Sequence, residues 1–329
     1  MGTPLTLALF LVSTAAALAA SSVLIVRLER IGARLSLAEA ALGVVAALAA
    51  DLPEISTAIA ALVQGQNEVG VGVILGSNVA KLALLLGLAA VVAGRVRLDR
   101  RVVLLESVVA GVLALVTVAV VSGAAAPAPG LVVALLVFVP YVVLTALRPE
   151  ARARLPIPAR LRGTLTGALT QEEDDLDIEP GRGGGIDVVV AVVALLLVVG
   201  SSVVLERTGS DLGTAWDISD LVVGAVLLAI VTSIPNAVAA VHLARRGRGA
   251  ATLSTTTNSN NINVVVGLLV PAAILGLGTV TSAAVLAAWW YLGLTAAVLA
   301  WAFLRRGLTR VDGVAIGIAY AVFVVLLVR

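Results

Sequence analysis

The sequence predicts an all-α integral membrane protein of ten transmembrane helices, arranged as two inverted five-helix repeats. Three observations support this prediction: apolar blocks along the whole chain, arginine clusters after every second block, and two similar motifs 182 positions apart. About 60% of the residues are hydrophobic and 13% are charged. A soluble core does not need such long uninterrupted apolar runs, so we expect the chain to lie in a lipid bilayer.

Each apolar block is long enough to cross the hydrocarbon core, which takes roughly 20 residues of helix. The first block has no basic segment before it and is longer than a signal-peptide core, so we expect it to be retained as a helix. The predicted spans are residues 4–26, 37–64, 69–93, 102–123, 129–147, 186–205, 217–244, 252–275, 281–304 and 309–328.

Arginines follow the first, third, fifth, seventh and ninth blocks, whereas the other loops carry almost none. By the positive-inside rule the arginine-rich loops are cytoplasmic, which places both termini outside the cytoplasm. An odd number of helices in each half then gives the halves opposite orientations. We expect the host to be a prokaryotic plasma membrane. The clusters begin with Arg27, Arg30 and Arg34, continue with Arg95, Arg97, Arg100 and Arg101, and later include Arg245, Arg246, Arg248, Arg305, Arg306 and Arg310.

One long polar stretch separates the two halves. It runs from a basic to an acidic segment without apolar periodicity, which predicts a cytoplasmic linker. The acidic run could act as a calcium sensor, although solvated linker charge is the simpler interpretation. The predicted domains are a first repeat at 1–148 with helices 1–5, the linker at 149–185, and a second repeat at 186–329 with helices 6–10.

The two halves share polar motifs in the middle of apolar blocks. DLPE at 51–54 aligns with SIPN at 233–236, and the same offset aligns Ser77–Asn78 with Ser259–Asn260. A proline inside a helix frees a backbone carbonyl, which at membrane depth is tolerated where it is packed in protein or lines a cavity. Inverted repeats with interrupted polar helices are typical of alternating-access transporters.

These motifs resemble those of the sodium/calcium exchanger family, within the cation/calcium antiporter superfamily. The family's two patterns are approximately G-T-S-L-P-E on one helix and G-N-x-x-G-S-N-x-x-[ND] on the next. The corresponding segments here are ALAADLPEISTAIA and GVGVILGSNVAK in the first half, and LAIVTSIPNAVAA and TTTNSNNINV in the second. The resemblance implies the fold of these exchangers and a central cation site built from both halves.

The resemblance also implies which residues form that site. This chain departs from the family pattern at three informative positions: Asp51 stands for a serine, Lys81 for an asparagine or aspartate, and Asn236 for a glutamate. The site is therefore altered, with its acids concentrated in the first half. The implied ion-binding residues are Asp51, Glu54, Ser77, Asn78, Lys81, Thr232, Ser233, Asn236, Ser259, Asn260 and Asn263.

Asp51, Glu54 and Lys81 carry the chemistry that we expect at this site. The two acids lie three residues apart, so both carboxylates project from one helix face and are candidate metal ligands. Lys81 falls within roughly one or two turns of their depth. It is also the only lysine in the chain. A lysine in a low dielectric can lose its proton whereas arginine stays charged, which makes Lys81 a candidate coupling group.

The favoured hypothesis is a secondary antiporter that exchanges calcium or another cation for protons, with weak or no sodium dependence. Protonated Lys81 either gives way to the incoming cation or stands permanently where a sodium ion would bind. One alternative is a conventional sodium/calcium exchanger, and another is a non-transporting membrane sensor or structural homologue. Charges inside a membrane cost from about 3 to more than 10 kcal/mol each, which favours a functional cluster.

Other features of the sequence do not indicate an enzyme. The chain has no cysteine, and we find no nucleophile triad and no zinc or heme spacing. The glycines of Gly70–Gly76 lie within a predicted membrane helix, where small residues allow close packing. We expect no cofactor besides the transported cation, with calcium first and sodium or a proton as options. The expected partners are the lipid bilayer and small inorganic cations but no nucleic acid, and the sequence leaves the oligomeric state open. For Glu106 we expect an interfacial ion pair with Arg100 or Arg101.

Overall fold

The protein is almost entirely helical. The computed structural model describes residues 3–34, 39–147, 149–156, 158–176 and 184–328. The helices of the first half and the linker are α1 (Thr3–Arg34), α2 (Glu39–Val63), α3 (Asn67–Lys81), α4 (Leu88–Ala93), α5 (Arg100–Val121), α6 (Pro127–Ala146), α7 (Pro149–Ala153) and α8 (Ala159–Leu176). Those of the second half are α9 (Gly185–Ala215), α10 (Asp220–Val222), α11 (Ala229–Arg245), α12 (Gly249–Ile262), α13 (Val270–Leu275), α14 (Ser282–Arg305) and α15 (Arg310–Val328).

Three of the membrane helices contain π-helical segments that join neighbouring α-helices into one long element. These segments are Leu82–Gly87 between α3 and α4, Val223–Leu228 between α10 and α11, and Asn263–Leu269 between α12 and α13. The first and last of them end at Gly87 and Leu269, which are separated by the same offset as the sequence repeat. Because π-helical turns are rare, their recurrence at equivalent positions is independent evidence that the halves are related.

Eight helices in the described ranges are long and apolar enough to cross a membrane, or nine when a bent pair is counted as one span. That pair is bent by 55° between Ile234 and Ala239, across the proline of the second motif. The remaining predicted span, 37–64, corresponds to α2, whose first side chains and preceding residues lie outside the described part. The apolar character of the chain is therefore confirmed, and the count of ten stays a prediction.

Two helices are longer than their apolar blocks. α1 continues past residue 26 to Arg34, and α9 continues past residue 205 to Ala215. The apolar blocks were placed with ends at 26 and 205 because hydropathy locates the part of a helix that suits lipid. Backbone hydrogen bonding continues through polar residues beyond it. α9 packs along α1, and Arg27 of α1 pairs with Asp187 of α9 at 2.7 Å.

The interrupted helices of the two halves cross at glycines. A Cβ added at Gly76 of α3 would lie 2.2 Å from the Cα of Ala225, and one added at Gly224 would lie 2.4 Å from the carbonyl oxygen of Val69. No larger residue fits these positions without separating the helices. The prediction that the small residues of the GVGVILG segment allow close packing is confirmed, and this crossing fixes the distance between the two polar motifs.

The arginine-rich loops meet at one end of the molecule. Strand β1 (Arg95–Arg97) follows α4 and pairs antiparallel with strand β2 (Gly307–Thr309), which follows α14. Gly249, after the α11–α12 turn, lies against the backbone of Arg97. Loops from both halves therefore lie at the same end of the protein. This is expected when each half has an odd number of membrane spans and the two halves have opposite orientations. Which side of the membrane this face occupies stays a prediction.

The predicted linker contains regular structure. α7 and α8 lie within it, and α8 packs against α2, α5 and α12, with Ala168 and Leu169 buried. The sequence lacked an apolar period here because only a few small or aliphatic residues of α8 make the contact. The division of the chain into two repeats and a linker stays a prediction, and much of the acidic run lies outside the described residues or side chains.

Candidate ion-binding site

The two acids of the first motif lie on one face of α2, as predicted. Asp51 and Glu54 are fully buried. Lys81, at the end of α3, is buried with them, and its Nζ lies 2.8 Å from Asp51 Oδ1 and also forms an ion pair with Glu54 Oε2. The proximity of these three side chains, inferred from helix depth, is thus observed. A single ammonium bridges both carboxylates.

The second half supplies neutral hydrogen-bond donors to the same two carboxylates. Ser259 Oγ and Asn236 Nδ2 donate to Asp51 Oδ1 at 2.7 and 2.8 Å. Ser233 Oγ donates to Glu54 Oε1 at 2.8 Å. These groups replace the water that an exposed carboxylate would bind, and burial without such partners would be costly. Each carboxylate therefore belongs to the first half but is held by the second.

Asn263 connects the carboxylates to the remaining predicted residues. Its Nδ2 donates to Glu54 Oε2 at 2.8 Å, to Asn78 Oδ1 at 3.1 Å and to Ser77 Oγ at 3.2 Å. Asn78 in turn is bonded to Asn260 of α12. Asn263 occupies the position that aligns with Lys81. The equivalent positions of the two repeats thus carry an ammonium in one half and an amide in the other.

Thr232 is the predicted site residue that the structure does not bring into this network. Its hydroxyl donates to the carbonyls of Leu228 and Ala229 in its own helical region, at 2.9 and 3.3 Å. Among the described residues it forms no bond with the acidic cluster. A threonine in a helix readily bonds the carbonyl four residues earlier, and this local bond competes with a contact across the site.

The site also holds buried oxygens that have no hydrogen-bond donor among the described residues. They are Asp51 Oδ2, Asn260 Oδ1 and Asn263 Oδ1. Carboxylate and amide oxygens are ligands that hard cations prefer. In the described part of the chain, no three His, Cys, Asp or Glu side chains gather in a group that could hold a metal ion. A cation here would use the Asp51 and Glu54 carboxylates and complete its shell with neutral oxygens.

Glu106, for which we expected an interfacial ion pair with Arg100 or Arg101, lies against polar side chains of two other helices. It is fully buried and accepts hydrogen bonds from Tyr141 Oη at 2.9 Å and from Thr257 Oγ1. Thr257 lies on α12 shortly before Ser259, so a second buried carboxylate contacts the helix that supports Asp51. The sequence did contain a sign of this contact. α12 carries a longer run of polar residues than the candidate ion site uses, so some of them must pair elsewhere.

Tyr291 is a second residue that sequence reasoning did not assign to the site. It is fully buried on α14, which packs against α3, and its hydroxyl lies near Asn78 and Thr295 without a hydrogen bond among the described residues. An aromatic residue within an apolar helix gives no sign in the sequence that it faces polar groups. Its contact with Asn78 extends the site to a helix outside the four motif-bearing elements.

Comparison with known proteins identifies the architecture. The model of the family described as sodium/calcium exchanger protein matches residues 5–148 and 186–329, which is most of the chain. The chain belongs to the sodium/calcium exchanger family. Another relative is the inner membrane protein YrbG of Escherichia coli K12, with 27% identity over 239 residues, 70% of this chain and 67% of that protein.

Solved structures show the fold of the sodium/calcium exchanger family along nearly the whole chain. An H⁺/Ca²⁺ exchanger, CAX, superimposes with a TM-score of 0.73 and 15% identity, covering 98% of this chain and 85% of its own. The sodium-calcium exchanger NCX_Mj superimposes with a TM-score of 0.63 and 19% identity, covering 98% and 99%. At these identities the likeness establishes the fold alone. The resemblance expected from the motifs is thereby confirmed for the family and for the two-repeat exchanger fold.

Proposed function

We propose that this member of the sodium/calcium exchanger family is a secondary cation antiporter in which Lys81 and the transported cation alternate at Asp51 and Glu54. The observation that carries the proposal is the ion pair of one buried ammonium with both carboxylates. Buried charges in a membrane are costly, so a cluster of three is retained where its charge responds to an ion. The ammonium balances part of the negative charge in the absence of that ion.

An arriving cation and a protonated Lys81 oppose each other. Two unit charges 4 Å apart repel by about 4 kcal/mol at the effective dielectric of partly buried protein sites, and a divalent ion doubles this. The cation can therefore bind well only if the ammonium loses its proton or moves away from the carboxylates. If it loses its proton, each binding event releases a proton from the site. This supports exchange of the cation for protons.

The charge of the site suits a divalent cation once Lys81 is neutral. Asp51 and Glu54 then contribute two negative charges, and calcium prefers six to eight oxygen ligands. The hydroxyl oxygens of Ser233 and Ser259 are hydrogen-bonded to these carboxylates, and that of Ser77 is bonded to Asn263 beside them. We propose calcium as the first candidate, with another divalent or a monovalent cation as alternatives. An amine at this position also supports weak or absent sodium coupling.

A conventional sodium/calcium exchanger is the second candidate, and the family match favours it. In that case Lys81 would be displaced by cation binding without changing its proton content. A third version leaves Lys81 permanently in place of a sodium ion, so that calcium transport depends neither on sodium nor on the proton of Lys81. These versions predict different driving forces for the same flux.

Flux into proteoliposomes separates the candidates. Purified full-length protein is tested for calcium uptake under a proton gradient and, separately, under a sodium gradient with the membrane potential clamped. We expect uptake under the proton gradient and little under the sodium gradient. Strict dependence on sodium contradicts the proton-coupled proposal. Absence of flux for calcium, manganese, sodium and other small cations, together with absence of ion-dependent stabilisation, contradicts transport altogether.

Conservative variants connect this flux to the site. We expect Asp51→Asn and Glu54→Gln to lower uptake at least tenfold, because each removes a charge that the cation needs. Asp217→Asn is the matched control. Asp217 is exposed and has a positive φ of 55°, a conformation that asparagine adopts readily, so this acid-to-amide change leaves both fold and flux intact. Equal flux in Asp51→Asn and the control would exclude Asp51 from the transport site.

A further inference from the structure

A cavity of about 470 Å³ opens at the arginine-rich end of the protein. None of the described residues that line it belongs to the candidate ion site. Arg95 and Arg97 of β1 and Arg306, just before β2, line it. Gln171 of α8 closes another side. The three arginines come from two loops that lie more than two hundred residues apart, so only the folded chain brings them together. All three are solvent-exposed.

The described residues that line this cavity carry more positive than negative charge. Asp99 is the one acidic residue among them, and its Oδ1 already accepts a hydrogen bond from the backbone N of Arg101 at 2.7 Å. Within the described residues, the guanidinium groups of Arg95, Arg97 and Arg306 form no ion pair or side-chain hydrogen bond. Three arginines and one aspartate leave the lining with a formal excess of positive charge.

The backbone around the cavity is held rigidly by close contacts. A Cβ added at Gly249 would lie 1.9 Å from the carbonyl oxygen of Arg97, and one added at Gly307 would lie 2.2 Å from that of Val96. β1 is therefore clamped between the start of α12 and β2. Rigid placement matters because a preorganised set of charged groups loses less entropy when it binds a ligand. The cavity is thus a formed feature of the fold.

Arg306 occupies a conformation that disfavours its residue type. Its φ is 54°, in the left-handed region, where glycine or asparagine would be less strained. Its backbone carbonyl accepts from Leu98 N at 3.2 Å, a bond that any residue could make. The turn therefore does not need an arginine side chain at position 306, although the arginine adds backbone strain there. Arg306 is one of the residues that line the cavity.

We propose that this cavity binds a phosphate group, presented by an anionic phospholipid or by a soluble phosphate. Arginine forks match phosphate oxygens with paired, charge-assisted hydrogen bonds, which explains three arginines in one recess. The cavity lies at the end of the bundle that the positive-inside rule assigns to the cytoplasm, where anionic lipids concentrate. A bound phosphate would connect β1 of the first half to the β2 turn of the second.

The test uses full-length protein in nanodiscs of phosphatidylcholine, with its melting temperature as the readout. Inorganic phosphate is titrated in one arm, and phosphatidylglycerol replaces part of the phosphatidylcholine in the other. We expect the melting temperature to rise with at least one probe, since a ligand that binds the native state stabilises it. A response to phosphatidylglycerol alone assigns the site to lipid, and a response to both assigns it to phosphate in general.

Three variants make the assignment specific. Arg97→Gln removes one charge-assisted donor pair and should weaken the response about tenfold in concentration. Arg306→Gly should weaken it equally while relieving backbone strain, so its melting temperature without ligand should not fall. Arg245→Gln, an exposed arginine of the same face that does not line the cavity, should respond like the unmodified chain.

Two results would overturn the proposal. The first is the lack of any response in the unmodified protein. If phosphate then stabilises a variant with Glu172, Glu173, Asp174 and Asp175 changed to amides, the acidic run directly after Gln171 occupies the cavity instead. The second is a response that Arg97→Gln and Arg306→Gly keep in full.

Discussion

Asn78 and Asn260 bond to each other reciprocally across the two repeats. Asn78 Nδ2 donates to the backbone carbonyl of Asn260 at 3.2 Å, and Asn260 Nδ2 donates to the carbonyl of Asn78 at 3.1 Å. The two residues occupy the same position of their repeats, so the pair lies on the pseudo-twofold axis that relates the halves. It holds α3 and α12 together beside the acidic cluster.

This symmetry predicts matched effects on stability. We expect Asn78→Ala and Asn260→Ala each to lower the free energy of unfolding by about 0.5–1.5 kcal/mol, since each removes a buried hydrogen bond between the two halves. The effect of the double variant should differ from the sum, because the two bonds join the same two residues and each helps to position the other. Melting temperatures in detergent test this, with Ser22→Ala on exposed α1 as the control. Strictly additive losses would show that the two bonds are independent.

Lys81→Met should destabilise the protein unless a cation is supplied. Removing one partner of a buried ion pair costs about 3–5 kcal/mol because the other charges remain uncompensated. The transported cation should restore the melting temperature by taking the place of the ammonium, whereas a cation that does not bind should not. Stability measured across calcium, manganese and sodium therefore also identifies the ion.

A neutral triple variant provides the control for Lys81→Met. Asp51→Asn, Glu54→Gln and Lys81→Met together remove all three charges, so stability should recover without any cation and the response to ions should vanish. If Lys81→Met is as stable as the unmodified chain in the absence of ions, the ammonium does not balance the carboxylates. The proposed alternation of amine and cation would then lack its basis.

Gly76 at the helix crossing and Gly111 away from it should respond in opposite ways to the same substitution. Gly76→Ala places a methyl group into the backbone of Ala225, so we expect severe loss of folded protein. Gly111→Ala on α5 meets no atom within 4 Å and should be neutral or stabilising by up to about 1 kcal/mol, because alanine favours helix. Yield of monodisperse protein and melting temperature test this. Equal behaviour of both variants would contradict the close crossing.

The predicted orientation can be tested because the chain has no cysteine of its own. Single cysteines at Ser122 and Asp217, both exposed at helix ends, should react with an impermeant thiol reagent in intact cells. Cysteines at Arg245 and Arg154 should react only after the membrane is permeabilised. The opposite pattern would place the arginine-rich face outside and would contradict the positive-inside assignment.

The motifs predicted much of the buried polar cluster at the candidate site because their chemistry is local. Asp51 and Glu54 are three residues apart, so they share one face of their helix wherever it lies in the membrane. The depth of Lys81 can be estimated from the helical rise per residue. Thr232 was placed in the site by the same motif alignment, yet its hydroxyl bonds within its own helix. A motif specifies a residue type at a position, whereas the rotamer is decided by competition between local and distant partners.

The sequence did not predict which neutral donors of the second half bond to which carboxylate. That Ser259 and Asn236 hold Asp51 while Ser233 and Asn263 hold Glu54 follows from the angle at which the two halves cross. The hydrogen bond between Glu106 and Tyr141 could not be predicted for the same reason. Their pairing depends on how α6 packs beside α5, and hydropathy alone does not indicate which face of an apolar helix meets a neighbour.

The sequence by itself determined the membrane class, the repeat, the family and the acidic pair, because these depend on hydropathy, charge and short spacing along the chain. Only the tertiary structure decided that one ammonium lies on both carboxylates, that Glu106 is buried against Thr257, and that Arg97 and Arg306 line one cavity. Such contacts join residues far apart in the chain, and their geometry is set by how closely glycine-bearing helices cross and by which polar groups burial forces to pair.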